Sequence, residues 1–392
     1  MILMLVGIIG APNKGKSTIF SALTLADAEI ADYPFTTIKP NMGVAYVTKE
    51  CVHGELGVGC KPRNSVCANG VRRIPVNIID VAGLVPGAHL GKGMGNQFLN
   101  DLINADALIQ VVDVSGTTDV EGKPCTWSDP AIDVNMIKEE LGEWLAKIIM
   151  AHAGALAKRS DGAKAMEELL SGFKVTAEQV AKAADANSLA LSNINWSATR
   201  AKNFAVTLLA LNKPLIIAAN KLDKSSGDKL IALKAKLSEE MVVGCSGAIE
   251  LALKKASKNG VIEYLPGASS FSINKNATPE QEKALNYMLK YTEANRGTGV
   301  QEVLNRAYFD LLQNIVVYPV EDENKYTDHF GNTLPDAILM RNGSTVLELA
   351  AKIHTDLAKN MLYAIDAKKK MRVSKDYKLK DNDVLKIVTA GK

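Results

Sequence analysis

The sequence predicts an α/β fold with a mostly parallel sheet, a helical insertion within it and a small α+β unit after it. From residue 1 to about residue 127, apolar strand-like runs alternate with helical patterns, and the alternation resumes near Leu215. Such alternation is typical of parallel strands joined by covering helices. Between these parts lies an Ala-rich stretch with almost no strand signal. A chain of 392 residues with 47% hydrophobic content is long enough for two or three domains.

The predicted domain boundaries follow these changes in pattern. Residues 1–128 form the first part of the α/β domain, 129–205 the helical insertion, 206–315 the rest of the α/β domain with connecting helices, and 316–392 the α+β unit.

The bulk composition limits the class of protein only loosely. A net charge of +3 neither requires nor excludes a nucleic-acid partner, and five cysteines do not form a disulfide framework in a chain of this length. The apolar run Met1–Gly10 is too short to cross a membrane and has no basic leader, so it is interpreted as a buried strand. We expect a soluble, cytoplasmic, monomeric protein with reduced thiols.

The α/β part contains a series of predicted elements. The strands are Ile2–Ile9, Val76–Ile79, Ala107–Val112, Leu215–Ala219 and Val242–Cys245; the helices are Lys16–Leu25, Pro279–Ala294 and Val300–Gln313. Two of the strands, Val76–Ile79 and Ala107–Val112, are each followed by an Asp.

The other two parts have helix signals of their own. In the insertion, Ile137, Leu141, Trp144, Leu145 and Ile148 recur at helical spacing, and Thr176 with Gln179 predicts a capping box. In the C-terminal unit, Thr345 with Glu348 predicts a capping box for a helix over Val346–Leu357. That helix lies between a strand at Ala337–Met340 and a last one at Val384–Val388.

A phosphate-binding loop is predicted between the first strand and the first helix. Residues 10–17 fit Gly-x-x-x-x-Gly-Lys-Ser/Thr in the required strand–loop–helix context. Glycines let the backbone wrap closely around phosphates, the amides of the loop point inward, and the helix N-terminus adds positive potential. Lys16 is expected to reach the β- and γ-phosphates and the Ser17 hydroxyl to bind Mg²⁺. The predicted phosphate contacts are Gly10, Ala11, Pro12, Asn13, Lys14, Gly15, Lys16, Ser17 and Thr18.

A second motif, Asp80-Val-Ala-Gly83, follows the strand Val76–Ile79 and fits Asp-x-x-Gly. The Asp80 carboxylate is expected to hold Mg²⁺, and the Gly83 amide to contact the γ-phosphate. The pattern alone is weak, and its position after a strand is what makes it informative.

A third motif predicts the base that is bound. Asn220-Lys221-Leu222-Asp223 follows the strand Leu215–Ala219. The Asp223 carboxylate can accept from N1–H and the exocyclic amine of guanine, whereas adenine offers an acceptor and a C–H there. Discrimination of roughly 10⁴-fold is physically available to such a carboxylate. Asn220 and Lys221 would brace the loop and pack against the base, and the amides of Ser246 and Gly247 would contact the guanine carbonyl.

The order of these motifs is that of Ras-like GTPases, and the flanking segments resemble a narrower family. Residues 31–41 resemble the first switch of Obg-related GTPases, and residues 83–98 resemble their glycine-rich second switch. Residues 318–325, 330–335 and 354–356 resemble a TGS domain, a β-grasp unit. Together the segments resemble the YchF subfamily, also called Obg-like ATPases, over nearly the whole chain, and especially its archaeal members.

The resemblance implies roles that the motifs alone do not give. Thr37 would be the second hydroxyl ligand of Mg²⁺. Many members of the subfamily have a degenerate base motif and prefer ATP, but this sequence keeps the full motif, so GTP is predicted. Gly247 stands where the family usually has Ala, which makes the contact predicted there less secure.

Hydrolysis is expected to be slow. Leu84 stands where Ras-type enzymes have a water-orienting Gln, and Leu neither donates nor accepts a hydrogen bond. His89 in the glycine-rich segment is a candidate to orient the water, its alternative being a solvated loop residue. The predicted catalytic set is therefore Lys16, Thr37, Gly83 and His89. Asn13 matches the position where some relatives bind K⁺, which would supply transition-state charge.

Cys51, His53, Cys60 and Cys67 cluster before the strand that leads to Asp80. They offer zinc ligands, but their spacing fits no tight zinc knuckle. A loose loop with buried thiols is the favoured interpretation, and metal binding stays open.

The functional hypothesis is a GTP-binding and GTP-hydrolysing switch that acts on the ribosome or another translation RNA through its TGS-like and helical regions. A basic run at residues 368–372 is either an RNA contact or a solvated face. The alternatives are an ATP-hydrolysing stress or metabolic regulator of the same fold, and a nucleotide-gated scaffold with negligible catalysis.

Overall fold

The computed structural model of the chain describes residues 4–25, 41–81, 83, 86–87, 101–192 and 194–390. The strands are β1 Leu5–Ile9, β2 Met42–Glu50, β3 Val66–Ala68, β4 Val71–Asp80, β5 Ala107–Asp113, β6 Leu215–Asn220, β7 Met241–Gly244, β8 Ile262–Glu263, β9 Ser272–Ile273, β10 Asn314–Val320, β11 Ile338–Arg341, β12 Met361–Asp366, β13 Met371–Val373 and β14 Asp383–Thr389.

Helices connect these strands and form the insertion. They are α1 Lys16–Thr24, α2 His53–Leu56, α3 Pro130–Ala151, α4 Ala153–Leu156, α5 Gly162–Leu169, α6 Ala177–Ala186, α7 Ala198–Asn212, α8 Gly227–Lys236, α9 Gly247–Lys258, α10 Pro279–Asn295, α11 Val300–Arg306, α12 Val346–Ile353 and α13 Thr355–Asn360. Residues 101–104 are also helical. Among the described residues, no helix combines the length and apolar character needed to cross a membrane.

The first sheet confirms the predicted α/β architecture. Its strands run in the order β2-β4-β1-β5-β6-β7, with β3 on the edge of β4. The strands β4, β1, β5, β6 and β7 pair in parallel, and every residue of β1 and β5 is buried. Near-continuous apolar runs of this kind are expected for strands covered on both faces. The carboxyl ends of these strands therefore meet at one edge of the sheet.

Two antiparallel strands were not predicted. β2 pairs with β4 along its whole length, and β3 forms a hairpin with the start of β4. As a result β4 is longer than the predicted strand Val76–Ile79. Both additional strands lie at the side of the sheet: β3 is short and partly buried, and β2 is buried only at residues 45–47 and ends in polar residues.

The insertion is helical, as predicted, and both of its predicted helix signals are present. The periodic residues between 137 and 148 lie in α3, which the Asp129 carboxylate caps, and Thr176 and Gln179 form the predicted capping box of α6. Helix α7 runs through the predicted boundary between residues 205 and 206 and continues almost to β6. The insertion and the second half of the α/β domain therefore share one continuous helix.

The C-terminal unit is a separate mixed sheet. Its order is β11-β10-β14-β12-β13, with β10 and β14 parallel and the other pairs antiparallel. The capping box of Thr345 and Glu348 is confirmed. The predicted helix Val346–Leu357 is divided in two, because the backbone of His354 is extended and its Nδ1 caps the second helix at the Asp356 amide.

Candidate nucleotide-binding site

The loop between β1 and α1 has the geometry of an anion cradle. Asn13 and Gly15 have φ angles of 60° and 93°, in the left-handed region. A β-carbon at Gly10 would lie 2.6 Å from the Val111 carbonyl oxygen, so the chain passes too close to β5 for a side chain there. Helix α1 begins at Lys16, and among the described residues no side chain caps its N-terminus. Its first amides are therefore left for a ligand, as the sequence predicts.

Lys16 faces the segment that follows β4. A β-carbon at Gly83 would lie 3.3 Å from the Lys16 Nζ. Burial lowers the pKa of Lys16, and the Asp80 carboxylate counteracts that effect. A partly buried ammonium group beside open helix amides is suited to bind an anion such as a phosphate.

Ser17 and Asp80 meet at the predicted cation position. The Ser17 Oγ donates to Asp80 Oδ2 at 3.1 Å, while Asp80 Oδ1 is buried without a hydrogen-bond partner among the described residues. Burial raises the pKa of Asp80, and Lys16 and Ser17 partly offset this. A hydroxyl and a carboxylate oxygen with free bonding capacity are donors of the hard type that Mg²⁺ prefers. The residues therefore fit the ion.

Asp223, the residue predicted to face the base, is hydrogen-bonded to Ser246 of the next loop. The Ser246 Oγ donates to Asp223 Oδ1 at 2.6 Å and also accepts from the Ile249 amide at the start of α9. Ser246 is completely buried, so it holds one carboxylate oxygen in place and leaves the other for a ligand.

Asn220 and Lys221 attach this base loop to the phosphate loop. Asn220 is buried; its Nδ2 donates to the Lys14 carbonyl at 2.9 Å and its Oδ1 accepts from the Gly247 amide at 2.9 Å. The Lys221 ammonium donates to the Asn13 carbonyl at 2.9 Å. The bracing role predicted for both residues is therefore seen in the geometry.

Asp113 holds the Lys221 ammonium from the neighbouring strand. Its Oδ2 lies 2.9 Å from the Lys221 Nζ. Burial alone would raise the pKa of Asp113, but hydrogen bonds from Ser115, Lys221 and Thr118 outweigh it and lower the pKa to about 2. The carboxylate therefore stays charged, and this residue was not among the predicted site residues. The signal that marks it is an Asp at the end of β5, in register with Asn220 on β6.

The segment between β5 and α3 packs onto the phosphate loop, which the sequence did not indicate. The Asn13 Nδ2 donates to the Gly122 carbonyl at 3.0 Å. A β-carbon at Gly122 would lie 2.7 Å from the Pro12 carbonyl oxygen. Trp127 stacks under the Lys229 ammonium, with 4.3 Å between Nζ and the ring centroid.

The side chain of Lys14 makes its contacts within the protein. Its ammonium is buried in an ion pair with Asp133 of α3 at 2.8 Å and donates to the Thr118 carbonyl at 2.9 Å. The side chain thus points away from the cradle, so that Lys14 can offer a nucleotide its backbone only. The sequence did not indicate this use of the side chain, because the acidic partner, Asp133, is distant along the chain.

The remaining predicted residues are placed as follows. Gly247 begins α9 beside Asn220, and its missing β-carbon would lie 2.8 Å from Ile19, which accounts for glycine at this position. Ala11 is buried, and Thr18 lies in the first turn of α1. Thr37, Leu84 and His89 lie outside the described residues.

The loops after β1, β4, β6 and β7 meet at the carboxyl edge of one parallel sheet, and this arrangement defines a P-loop nucleotide-binding domain. Comparison with known families agrees. Residues 5–151 match the family model "50S ribosome-binding GTPase", residues 218–322 match "Obg-like GTPase YGR210-like, G4 motif-containing domain", and residues 330–389 match "TGS domain".

Two of the individual relatives span nearly the whole chain, and a third spans part of it. An uncharacterized GTP-binding protein of Methanocaldococcus jannaschii is 48% identical over 99% of this chain and all of its own length. A crystal structure of a GTP binding protein from Pyrococcus horikoshii is 38% identical, covers 99% of this chain and 100% of its own, and superposes with a TM-score of 0.78. The ribosome-binding ATPase YchF of Bacillus subtilis is 31% identical over 61% of this chain and 64% of its own length. The chain belongs to the YchF/Obg-like family of P-loop GTPases.

Proposed function

We propose that the protein binds GTP with Mg²⁺ and hydrolyses it slowly, as a molecular switch. The observation that carries this proposal is the Asp223 carboxylate, fixed by the Ser246 hydroxyl and attached through Asn220 to the phosphate loop. With one of its oxygens held, the carboxylate presents the other to a purine edge. Guanine offers it two donors, N1–H and the exocyclic amine, and adenine does not.

The phosphates would lie against the open amides of α1, with Lys16 at the β- and γ-phosphates and the Gly83 amide near the γ-phosphate. Ser17 and Asp80 would hold Mg²⁺, with Thr37 as a further ligand by family resemblance. The ion supplies charge neutralisation for the phosphate oxygens. Lys16 and Ser17 begin the helix that follows β1, and Asp80 and Gly83 lie at and just after the end of β4.

Calorimetric titration of the purified chain with GTP, GDP and ATP in the presence of Mg²⁺ tests this proposal. GTP and GDP are expected to bind and ATP to bind at least 10³-fold more weakly, because the Asp223 carboxylate would face the adenine acceptor. Equal affinity for ATP would favour the alternative of an ATP-hydrolysing regulator. The Bacillus subtilis relative is named as an ATPase.

Hydrolysis without a partner is expected to be slow, because Leu84 cannot orient water. His89 is the proposed water-positioning residue. Potassium beside Asn13 is proposed as an accelerator, and the hydrogen bond from the Asn13 Nδ2 to the Gly122 carbonyl gives its amide a fixed orientation for that role. Equal turnover in KCl and NaCl would remove potassium from the proposal, and no turnover in either salt would leave a nucleotide-gated scaffold.

The proposed effector is the ribosome or another translation RNA. The description of the family model over residues 5–151, the TGS unit and the name of the Bacillus subtilis relative support it. The basic run is a weaker candidate contact than its sequence suggests, because Lys368 pairs with Glu55 at 2.7 Å and Lys369 with Asp366 at 3.1 Å. Arg372 instead stacks on Tyr363, with 3.7 Å to the ring centroid.

Co-sedimentation with ribosomes, in a non-hydrolysable GTP analogue and in GDP, tests the effector. We expect association that depends on the nucleotide. Absence of association in both states would contradict the translation role and leave the nucleotide chemistry untouched.

A further inference from the structure

Four side chains of types that can bind a metal ion, all from the segment 51–67, converge beside the α/β sheet. The Sγ atoms of Cys51, Cys60 and Cys67 and a ring nitrogen of His53 all lie within 4.8 Å of one another. Cys51 follows β2 and is buried, His53 begins α2, and Cys67 lies on β3. We call these four residues the Cys₃His cluster. It lies outside the nucleotide pocket and plays no part in the chemistry proposed above.

The spacing of the four atoms suits a tetrahedral zinc ion. With Zn–S near 2.3 Å, ligand atoms in a tetrahedron lie about 3.8 Å apart. The His53 Nδ1 is 3.6 Å from the Cys67 Sγ, and the widest separation in the cluster exceeds the ideal by only about an ångström. Three thiolates and one imidazole form one of the usual closed ligand sets of structural zinc, with no position left for a substrate.

A buried cation next to the cluster gives an independent reason to expect a negatively charged unit there. Arg72 is completely buried and lies opposite Cys67 in the β3–β4 hairpin, so both side chains share one face. Its Nε donates to the Ser65 Oγ, its Nη2 donates to the carbonyls of Leu334 and Pro335, and its Nη1 has no hydrogen-bond partner among the described residues.

All of the acceptors that the described residues offer this guanidinium are neutral. No carboxylate of the described residues forms an ion pair with Arg72. A buried charge without a counter-charge is costly. Zinc bound by three thiolates and a neutral imidazole carries a net charge of −1, which compensates the Arg72 guanidinium. Three neutral thiols would not.

The cluster also lies at the junction with the C-terminal unit. Between Cys60 and Cys67, the Lys61 amide donates to the Thr333 carbonyl at 2.8 Å, and the Arg63 amide donates to the Pro335 carbonyl at 2.7 Å. Arg72 donates to this same segment of the C-terminal unit. The loop that a metal would fix at Cys60 and Cys67 is thus the loop that docks the two units together.

We propose that the Cys₃His cluster is a structural zinc site that fixes the 51–67 segment and, through it, the docking of the C-terminal unit onto the α/β domain. Zinc is expected at one ion per chain. Its binding does not depend on nucleotide.

The test is the metal content of the full-length chain, purified under reducing conditions and then dialysed against Zn²⁺ and desalted. Elemental analysis is expected to give stoichiometric zinc. Replacement with Co²⁺ is expected to give thiolate-to-cobalt charge-transfer bands and the intense d–d bands of a tetrahedral complex. Cobalt in the magnesium position would have oxygen ligands and show no thiolate bands, which separates the two sites.

Matched variants assign the ligands. Cys67→Ser is expected to lose the zinc and the thiolate bands, whereas Cys125→Ser, a partly buried cysteine outside the cluster, is expected to keep both. If Cys67→Ser does not fold, the wild-type protein tests the same site in two ways. Its cobalt spectrum is expected to show the thiolate bands, and three of its thiols are expected to react with a thiol reagent only after a chelator has removed the zinc.

Hydrogen exchange on the wild-type chain tests the docking role. Removal of zinc is expected to increase amide exchange over residues 57–65 and 333–337 and to leave α1 unchanged. Unchanged exchange in the first two segments would overturn the docking role. A wild-type chain that retains no zinc and gives no thiolate bands, or a disulfide among Cys51, Cys60 and Cys67 in the purified protein, would overturn the site.

Discussion

The side chain of Asn220 joins the base loop to the phosphate loop by donating from its Nδ2 to the Lys14 carbonyl at 2.9 Å. Its Oδ1 accepts from the Gly247 amide, so a single amide links three loops that are far apart in the chain. Gly15 fits against it so closely that a β-carbon there would lie 2.2 Å from the Asn220 Nδ2. The geometry of the purine site and that of the phosphate site therefore depend on each other.

The first prediction concerns this link. Asn220→Ala removes both hydrogen bonds and leaves a buried carbonyl and amide unpaired, at about 1–3 kcal/mol for each group. We expect GTP affinity to fall about ten- to a hundredfold, measured by calorimetry. Asn187→Ala is the matched control, because Asn187 also makes two hydrogen bonds but lies in the insertion. An equal loss of affinity in both variants would contradict the role of Asn220.

The second prediction concerns the contact of Gly122 with Pro12. In Gly122→Ala the new β-carbon would lie 2.7 Å from the Pro12 carbonyl oxygen, so the β5–α3 segment or the phosphate loop must move. We expect the free energy of GTP binding, measured by calorimetry, to weaken by more than the free energy of unfolding, measured by chemical denaturation.

Gly260→Ala provides the control for Gly122→Ala, because Gly260 has a similar φ of 67° but open space around its β-carbon position. It is expected to cost only the backbone strain, about 1 kcal/mol, with no change in affinity. Unchanged GTP binding in Gly122→Ala would show that the segment does not support the phosphate loop.

The third prediction concerns the buried ion pair of Lys14 and Asp133. Lys14→Met leaves the Asp133 carboxylate buried without its cation, so chemical denaturation is expected to show a loss of about 3–5 kcal/mol. The double variant Lys14→Met/Asp133→Leu is expected to recover much of this loss. Lys182→Met, which breaks the exposed pair with Glu178, is expected to cost no more than about 0.5 kcal/mol. Similar losses in Lys14→Met and Lys182→Met would contradict the assignment.

The fourth prediction is a pH dependence of stability from Lys213. Burial lowers the pKa of this lysine from 10.5 to about 8. As the pH rises from about 8 to 10.5, the folded protein releases the proton before the unfolded chain does. The unfolded chain therefore binds more protons in this window, and the contribution of Lys213 to the free energy of unfolding increases with pH.

Denaturation at several pH values between 8 and 10.5 measures this effect. The difference in free energy of unfolding between the wild type and Lys213→Met is expected to change by about 3 kcal/mol at most over this pH range. The exposed Lys359→Met is expected to show a constant difference. If the difference for Lys213→Met were also constant with pH, the burial of Lys213 would not lower its pKa.

The sequence predicted the parts of the fold and site that depend on local patterns. Apolar runs predicted buried parallel strands such as β1 and β5. Residue spacing predicted the capping boxes at Thr176 and Thr345. Residues such as Lys16, Ser17 and Asp223 were predicted because their motifs are contiguous, and the structure brings them to one edge of the sheet.

Long-range relationships were not predictable in the same way. The partner of Lys14 is Asp133 in another structural unit, and no local pattern joins them. Strands β2 and β3 depend on antiparallel pairing with β4 at the side of the sheet. The same two strands bring Cys51 and Cys67 together, so the juxtaposition behind the proposed zinc site could not be predicted from spacing along the chain. The roles of Thr37 and His89 stay predictions.

The fifth prediction, Asp223→Asn, tests the central claim that this carboxylate reads guanine. An asparagine amide can donate to the C2 carbonyl of xanthine and accept from N1–H, but it presents a donor to the exocyclic amine of guanine. Nucleotide affinities of the wild type and the variant for GTP and xanthosine triphosphate, measured by calorimetry with Mg²⁺, provide the test. The account predicts that Asp223→Asn loses at least 10³-fold in GTP affinity and gains affinity for xanthosine triphosphate. Unchanged GTP binding in the variant, or loss of both nucleotides in a folded protein, would contradict it.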